Sequence, residues 1–366
     1  MNTKTTNKKI RSGLRYNFAF KALAALTIPL VVAACGSASS SGSSPNSANA
    51  SSNTKVPLVV YSAQGYDSAM TAAFQKATGI TTTLVDDSTG PLLTRVQAEA
   101  ANPHWGVLWV DGDEAFAALD AQGALVQHWE PSVKWTAAAK GLLPKDGSYI
   151  PTGLTMAGTL VYSTKTVASP PTSWNDLLSS RWNGQIGMND PAVSGPTFPF
   201  VAGMMSYLGG VSQGESFYSQ LKANGLQVFQ TNGDTLHALG TGQIKLALIQ
   251  SSAGIGASIK DPTIKTAFLP PTTLLPGVIG IDAKASAAEI AEAKQFVDFV
   301  LSPAGQKVQL SGDPTGDSLY WPVVSGVSPE AAVPSLSGIK FQVINPYTWG
   351  ARENSINSWF TNSIVN

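Results

Sequence analysis

Residues 58–113 read LVVYSAQGYDSAMTAAFQKATGITTTLVDDSTGPLLTRVQAEAANPHWGVLWVDGD. The stretch alternates short apolar runs, typical of buried strands, with runs whose apolar residues recur at helical spacing. It predicts strands over 58–61, 80–85 and 106–110, and helices over 66–78, 91–101 and 114–121. Because each predicted strand is followed by a helix, we expect parallel strands joined by crossover helices. The chain is therefore predicted to have an α/β fold.

Length, charge and cysteine content narrow the classes of function. The chain has 366 residues, enough for two domains of ordinary size. Its formal charge is zero, but six of the 23 basic side chains and none of the 23 acidic ones precede residue 35, which leaves 17 basic against 23 acidic residues beyond it. Without a basic stripe, a nucleic-acid partner is not expected. With three histidines and Cys35 as the sole cysteine, a Cys/His metal cluster and a structural disulfide are excluded, and no cofactor is predicted.

The N-terminus has the pattern of an export signal. A basic stretch precedes the apolar run 22–34, whose 13 residues would span only about 20 Å of a hydrocarbon core about 30 Å thick. Residues 1–34 are therefore predicted to be a signal peptide. The sequence Val32-Ala33-Ala34-Cys35 resembles the lipobox of bacterial lipoproteins, in which the cysteine is acylated, although an ordinary signal peptide with a chance cysteine is the alternative. Residues 35–55 would then be a lipidated cysteine and a flexible Ser/Gly/Asn tether. The protein would be exported and lipid-anchored on the outer face of the cytoplasmic membrane, at the cell surface or in the periplasm.

Polar loops follow the predicted strands at the position where ligands bind in open α/β sheets, beyond the carboxyl ends of the strands. These loops are Ser62-Ala63-Gln64, Ser88-Thr89-Gly90 and Asp111-Gly112-Asp113. Hydroxyls and backbone N–H groups at a helix start suit an anion, and Ser88-Thr89-Gly90 has that composition. The same residue types are also ordinary helix caps. Composition alone leaves both interpretations open.

A family resemblance extends along most of the chain. Residues 58–113 and a second stretch, SWNDLLSSRWNGQIGMNDPAVSGPTF (173–198), resemble the extracellular solute-binding family that includes ferric-iron, 2-aminoethylphosphonate and related anion-binding proteins. The similarity continues through residues 240–252, LLPGVIGID (274–282) and AKQFVDFVLSPAGQKV (293–308). It covers most of residues 57–325. Each motif alone is weakly diagnostic of the family, but the order of the motifs along the chain is more specific to it.

The resemblance implies a type II periplasmic-binding-protein fold, with two α/β lobes, a ligand cleft and two crossing hinge segments. Lobe one would comprise residues 56–155 and 273–366, including C-terminal helices packed on that lobe, and lobe two residues 156–272. The crossings would lie near Thr152–Tyr162 and Thr266–Leu275. The implied function is the substrate-binding component of an ABC importer. It would act as a monomer, capture a small solute by closing the lobes and deliver it to a membrane permease and its ATPase.

Candidate ligand-binding residues come from both implied lobes. Neutral hydroxyl and amide donors hold an oxyanion without a full positive charge. Ser194-Gly195-Pro196-Thr197 repeats the hydroxyl-plus-glycine composition of the Ser88 loop, and Ser251 and Ser252 follow a predicted strand at 246–249. An aromatic residue near position 320 would wall the cleft, although aromatic side chains more often serve the core. The candidates are Ser62, Gln64, Ser88, Thr89, Gly90, Asp111, Ser194, Gly195, Thr197, Ser251, Ser252 and Tyr320.

The expected ligand follows from one departure from the family pattern. Ferric-iron members use adjacent tyrosines, whereas residues 250–253 here read Gln-Ser-Ser-Ala. Because Fe(III) favours anionic oxygen ligands, this loss argues against tyrosinate-bound iron. A phosphonate or phosphate ester is preferred, and for a zwitterion Asp111 or Asp113 would be the ammonium partner. Ferric iron and polyamines remain alternatives within the same fold.

A serine hydrolase is the alternative from a different class. Gly210-Val211-Ser212-Gln213-Gly214 matches G-x-S-x-G, a motif that carries meaning only on a strand–turn–helix elbow with a later histidine. Here the motif lies between two predicted helices, at 200–208 and 215–223. The only later histidine, His237, lies in a further predicted helix. We therefore expect a binding protein and not an enzyme.

Overall fold

The computed structural model of the protein describes residues 55–366. The predicted signal segment, the lipidation site at Cys35 and the tether up to residue 54 lie outside these residues. No helix in the described range has the length and apolarity that a membrane crossing needs.

Residues 55–366 form eleven strands and twelve α-helices. The strands are β1 (Leu58–Ser62), β2 (Thr82–Asp86), β3 (Val107–Asp111), β4 (Tyr149–Ala157), β5 (Thr159–Ser163), β6 (Ile186–Asn189), β7 (Gln227–Phe229), β8 (Leu246–Ile249), β9 (Ile264–Ala267), β10 (Thr272–Ile281) and β11 (Phe341–Gln342). The helices are α1 (Asp67–Thr78), α2 (Thr89–Ala98), α3 (Glu114–Ala121), α4 (Ala137–Lys140), α5 (Thr197–Leu208), α6 (Val211–Ala223), α7 (Asn232–Thr241), α8 (Ser251–Lys260), α9 (Ala287–Leu301), α10 (Pro303–Ser311), α11 (Pro346–Gly350) and α12 (Glu353–Phe360). Short 3-10 segments occupy Asn175–Leu178, Ser180–Trp182 and Leu336–Gly338, and a π-helical turn ends the chain at Thr361–Val365.

The strands divide into two sheets, each of which forms one lobe with its helices. The sheet of lobe one has the order β11-β10-β3-β1-β2, with β4 also paired to β10. The sheet of lobe two has the order β7-β6-β8-β5-β9. Strand β1 runs parallel to both β2 and β3, as its sequence predicts. The returning strand β10 is antiparallel to β3 and β4, so lobe one has a mixed sheet.

Two short passages connect the lobes. The chain leaves the first sheet at Ala157 and enters the second at Thr159. It returns to the first sheet between Ala267 and Thr272. Gly158 alone separates the two strands of the first passage and has φ 69°, a conformation that glycine adopts without strain. A Cβ at this position would also overlap the ring of Phe200. The first passage therefore depends on glycine for both its backbone conformation and its packing.

The C-terminal segment contacts both lobes, which corrects the expectation that it packs on lobe one. Helix α11 packs on α3 of lobe one. Helix α12 packs instead against lobe two, where the Phe360 ring lies 5.5 Å from that of Tyr218. Ile356 and Phe360 belong to the same buried cluster as Phe200. Their i, i+4 spacing identifies an apolar helix face, but that spacing carries no information on which lobe the face covers.

Candidate ligand-binding site

A cavity of about 210 Å³ lies between the two lobes. Lobe one contributes residues from the loop after β1, from the start of α2 and from the end of β3, and Asp317 reaches it from the loop after α10. Lobe two contributes the segments that precede α5, α7 and α8. The lining residues are Ala63, Ser88, Thr89, Asp111, Ser194, Gly195, Pro196, Gln230, Thr231, Asn232, Gly233, Gln250 and Asp317.

Four helix starts meet at this cavity because each follows the end of a strand. Ser88 is the N-cap residue of α2, Pro196 that of α5, Thr231 that of α7 and Gln250 that of α8. The first turn of a helix has N–H groups without an intrahelical partner and carries partial positive charge. At α7 the start is fixed by a capping box, in which Thr231 Oγ1 accepts from the N–H of Asp234 at 3.2 Å. The cavity is therefore surrounded by groups that suit an anion.

Two carboxylates from lobe one face these helix starts. Asp111 ends β3, and its Oδ1 accepts a hydrogen bond from Gln64 Nε2 at 3.0 Å. Its Oδ2 accepts from Gln250 Nε2 of lobe two at 3.2 Å, so the Asp111 carboxylate joins the two lobes. Asp317 Oδ2 accepts from the N–H of Gly65 at 2.8 Å. Both aspartates are therefore held in place by amide donors and not by a cationic side chain.

The charge of these carboxylates is not balanced inside the cavity. Among the described residues, those that line it include no Lys, Arg or His. Burial, together with the nearby charge of Asp317, raises the pKa of Asp111 to about 7. Burial also raises the pKa of Asp317 to about 6. A cationic group placed against the two aspartates would stabilise their charged forms.

The lobes touch directly beside the cavity. The N–H of Gly90 in lobe one donates to the carbonyl oxygen of Val193 in lobe two at 3.0 Å. A Cβ at Gly90 would overlap the carbonyl oxygen of Ala192, and a Cβ at Gly195 would overlap Thr89 Oγ1. Glycine at both positions therefore lets the two loops approach closely enough to bury the cavity.

The structure brings together only part of the predicted set of ligand-binding residues. Five of the twelve line the cavity, namely Ser88, Thr89, Asp111, Ser194 and Gly195. Gly90 lies at the contact between the lobes. The carboxamide of Gln64 lies behind the cavity wall, bonded to Asp111.

The remaining predicted residues, and Asp113, are used elsewhere. Ser62 Oγ accepts from the N–H of Gln64, Ser251 Oγ accepts from the N–H of Met156, and Ser252 Oγ lies 3.5 Å from Asp317 Oδ1. Thr197 is buried in the first turn of α5 without lining the cavity. Tyr320 is a core residue packed against Tyr66 and not a cleft wall, because its large apolar ring is buried with the other aromatic residues. Asp113, suggested as an ammonium partner, lines a different cavity with Tyr149 and Tyr347.

Several lining residues had not been predicted. Gln230 to Gly233 precede α7, and the Thr231–Asp234 capping pattern after a strand was a detectable signal. Gln250 was detectable as the residue between β8 and α8. Asp317 has no local signal, since it reaches the cavity from an irregular loop more than 200 residues beyond Asp111 in the chain.

The G-x-S-x-G match was expected between two helices, but Val211–Gly214 form the first turn of α6, which begins four residues earlier than predicted. Gly210 is the N-cap residue of α6, and Ser212 is an exposed residue in the first turn of that helix. The preceding element is helix α5, so no strand-to-helix elbow presents the serine. His237 is exposed on α7. This part of the structure offers no support for a nucleophile elbow.

The fold and the cavity define a class of protein: a two-lobed α/β receptor that holds a small ligand between its lobes. The chain matches a model of the family described as bacterial extracellular solute-binding protein over residues 69–340, and it belongs to that family. It is a solute-binding component of an ABC import system, which works with a permease and an ATPase.

The chain is also similar to known relatives in sequence and to solved structures in fold. A "Putative 2-aminoethylphosphonate-binding periplasmic protein" of Salmonella paratyphi A is 24% identical over 282 residues, which cover 73% of this chain and 78% of the relative. Iron-bound HitA from Pseudomonas aeruginosa superposes with a TM-score of 0.69 at 21% identity, covering 83% of this chain and 98% of HitA. AfuA from Actinobacillus pleuropneumoniae, with fructose-6-phosphate bound, gives a TM-score of 0.75 at 17% identity, covering 84% of this chain and 98% of AfuA. At these identities the two structures establish the fold, which is that of type II periplasmic binding proteins.

Proposed function

We propose that the cavity binds a small zwitterion that carries a phosphonate or phosphate-ester group and an ammonium group, such as 2-aminoethylphosphonate. The observation that carries this proposal is the composition of the cavity wall. Four helix starts and two carboxylates face one small space. The lining residues, all within 55–366, include no cationic side chain. An anion alone would be repelled by the aspartates, and a cation alone would leave the helix starts without a partner.

In this proposal the two ends of the ligand bind to opposite walls. The anionic group lies against the helix starts of lobe two, with the Ser88 and Thr89 hydroxyls of lobe one completing the shell. The ammonium group lies against Asp111 and Asp317. Because one end contacts each lobe, the ligand favours the arrangement in which the lobes meet, and that arrangement is the one delivered to the permease.

Two other ligand classes receive less support. Ferric iron would need anionic oxygen ligands such as tyrosinate, whereas Tyr66 and Tyr320 lie in the core away from the cavity. A polyamine would satisfy the two aspartates but not the helix starts of α5, α7 and α8. The name of the Salmonella relative agrees with an aminophosphonate.

We also propose that the protein is exported, monomeric and lipid-anchored through Cys35, and that it has no catalytic activity. The helical setting of Ser212 supports the absence of a serine hydrolase activity.

Isothermal titration calorimetry tests the ligand assignment. The ligands are 2-aminoethylphosphonate, ethylphosphonate as its counterpart without the amine, putrescine, and Fe(III)–citrate. We expect saturable binding of 2-aminoethylphosphonate and, by mass action, a raised melting temperature. Ethylphosphonate should bind roughly ten-fold or more weakly, because it lacks the charge-assisted bonds to the aspartates. The absence of binding by both phosphonates, in calorimetry and in melting temperature, would contradict the proposal. Stabilisation by Fe(III)–citrate alone would overturn the proposed ligand but not the transport role.

A further inference from the structure

A second and larger cavity, of about 490 Å³, lies on the other side of the contact between the lobes. Its walls come from α2 and α3 of lobe one, from the loop 191–199 of lobe two and from the C-terminal helix α12. It shares Thr89, Asp111 and Gly195 with the smaller cavity, so one layer of side chains separates the two spaces. We call it the second chamber.

Two residues that line the second chamber each have a buried oxygen atom without a hydrogen-bond donor. Glu114 lines it and is 2% exposed, yet Glu114 Oε2 has no hydrogen-bond partner. Asn357 lines the chamber from α12, and its Oδ1 is also buried without a partner. Buried polar atoms are almost always satisfied, and a buried carboxylate without a partner is especially costly. A ligand with N–H donors would offer these two acceptors hydrogen-bond partners.

The ionisable side chains that line the second chamber are all acidic. Glu114 on α3 and Glu353 on α12 both line it, and within residues 55–366 the lining set contains no Lys, Arg or His. The basic residues on the adjoining elements have other partners. Arg95 Nε lies 2.8 Å from Glu99 Oε1, and the Arg352 guanidinium lies 5.5 Å from the centre of the Trp349 ring. The two glutamates therefore lack a cation that the described chain could supply.

The ionisation of the glutamates agrees with this geometry. Burial raises the pKa of Glu114 well above its usual range, and the charges of Asp113 and Glu353 act in the same direction. Burial also raises the pKa of Glu353 to about 7. A bound cation would offset the repulsion between these carboxyls.

The other residues that line the second chamber favour an organic cation over a metal ion. No group of three or more His, Cys, Asp or Glu side chains among residues 55–366 is arranged to hold a metal ion. Leu93, Phe198 and Pro199 instead give the chamber an apolar surface. We propose that the second chamber binds an organic cation, with an ammonium group against Glu114 and Glu353 and an apolar body against Leu93, Phe198 and Pro199.

Calorimetry with 2-phenylethylammonium as the probe tests this site. At constant ionic strength we expect saturable binding to the wild-type protein, and binding at least ten-fold weaker for neutral 2-phenylethanol. Glu114→Gln should weaken binding of the probe by roughly ten-fold or more, because the amide retains the size of the side chain but not its charge. Glu353→Gln is a second variant at a less buried position. Glu330→Gln, at an exposed residue that lines neither cavity, is the matched control and should bind as the wild type does.

The possible results of this experiment distinguish binding in the second chamber from binding in the smaller cavity. Equal affinity for the probe and its alcohol, or unchanged affinity in both Glu114→Gln and Glu353→Gln, would overturn the proposal. Loss of probe binding in Asp317→Asn but not in Glu114→Gln would place the cation in the smaller cavity and would also overturn it. Because Glu114 does not line the smaller cavity, 2-aminoethylphosphonate should bind Glu114→Gln as it binds the wild type. Failure of one proposal therefore leaves the other testable.

Discussion

The two walls of the smaller cavity differ in kind. Lobe one presents the carboxylates of Asp111 and Asp317, together with one helix start, that of α2. Lobe two presents three helix starts and, among the described lining residues, no ionisable side chain. One wall thus carries negative charge, and the other offers N–H donors with partial positive charge. The difference shows how a cavity without a basic residue can recognise a ligand that has both signs of charge.

Removing the charge from the lobe-one wall should have the largest effect. In the double variant Asp111→Asn/Asp317→Asn, the affinity for 2-aminoethylphosphonate should fall by roughly 100-fold or more, because charge-assisted bonds to the ammonium group are lost. The affinity for ethylphosphonate should rise by roughly a few-fold, because the aspartates no longer repel its anionic group. Calorimetric titration of both ligands measures the difference. Asp298→Asn, at an exposed position on α9, serves as the control. An equal loss for both ligands would mean that the aspartates shape the cavity and do not bind the amine.

A substitution that holds the two lobes apart should weaken the binding of every ligand. A methyl group at Gly90 would meet the backbone carbonyl of Ala192, which cannot rotate away as a side chain can. Gly90→Ala should therefore lower the affinity for both phosphonates by about 10- to 100-fold, the range expected for overpacking. Gly240→Ala is the matched control, because a Cβ at Gly240 on α7 would meet no atom within 4 Å. Unchanged affinity in Gly90→Ala would show that ligand binding does not require this contact between the lobes.

The two walls should also respond differently to pH. Since folding raises the pKa values of Asp111 and Asp317 to about 7 and about 6, the native protein keeps protons that the unfolded chain has lost. In the ligand-free protein the two carboxyls therefore reduce stability as the pH rises from about 4 to about 7. An ammonium group needs these carboxyls charged, so its binding should strengthen over the upper part of that range.

The ratio of the affinities for 2-aminoethylphosphonate and ethylphosphonate, compared between the wild type and the double Asn variant, isolates this pH effect. The ammonium group lowers the second pKa of the phosphonate in 2-aminoethylphosphonate, so the two ligands ionise over different pH ranges. The effect of the aspartates is therefore the difference between the change in this ratio in the wild type and the change in the double Asn variant. We expect the ratio to rise by roughly ten-fold more in the wild type between pH 5.5 and pH 7.5, as one carboxyl of raised pKa is titrated. Calorimetry at the two pH values on both proteins measures it. An equal change of the ratio in the two proteins would contradict ammonium binding at these residues.

The smallest effect should come from a residue outside both walls. Ser212→Ala, at an exposed position on α6, should leave ligand affinity unchanged and stability within about 0.5 kcal/mol. Neither protein should hydrolyse a p-nitrophenyl ester above the background rate. Ester turnover by the wild type that disappears in Ser212→Ala would instead support a serine hydrolase.

The sequence predicts the fold better than it predicts the site. Strand β8 and helix α3 have the bounds that their residue patterns predict, because apolar periodicity is a local property. The lining residues Ser88 and Ser194 were found because each belongs to a polar loop that precedes a helix. Asp317 was missed because its position depends on how an irregular loop folds over lobe one. Tyr320 was misplaced because aromatic residues look alike in sequence whether they serve a cleft or a core.

A crystal structure of the protein with 2-aminoethylphosphonate would test the central claim most directly. We predict the phosphonate oxygens within hydrogen-bond distance of N–H groups at the starts of α5, α7 or α8, and the ammonium nitrogen within that distance of Asp111 and Asp317. A ligand bound in the reverse orientation, or bound outside the space between the lobes, would contradict it.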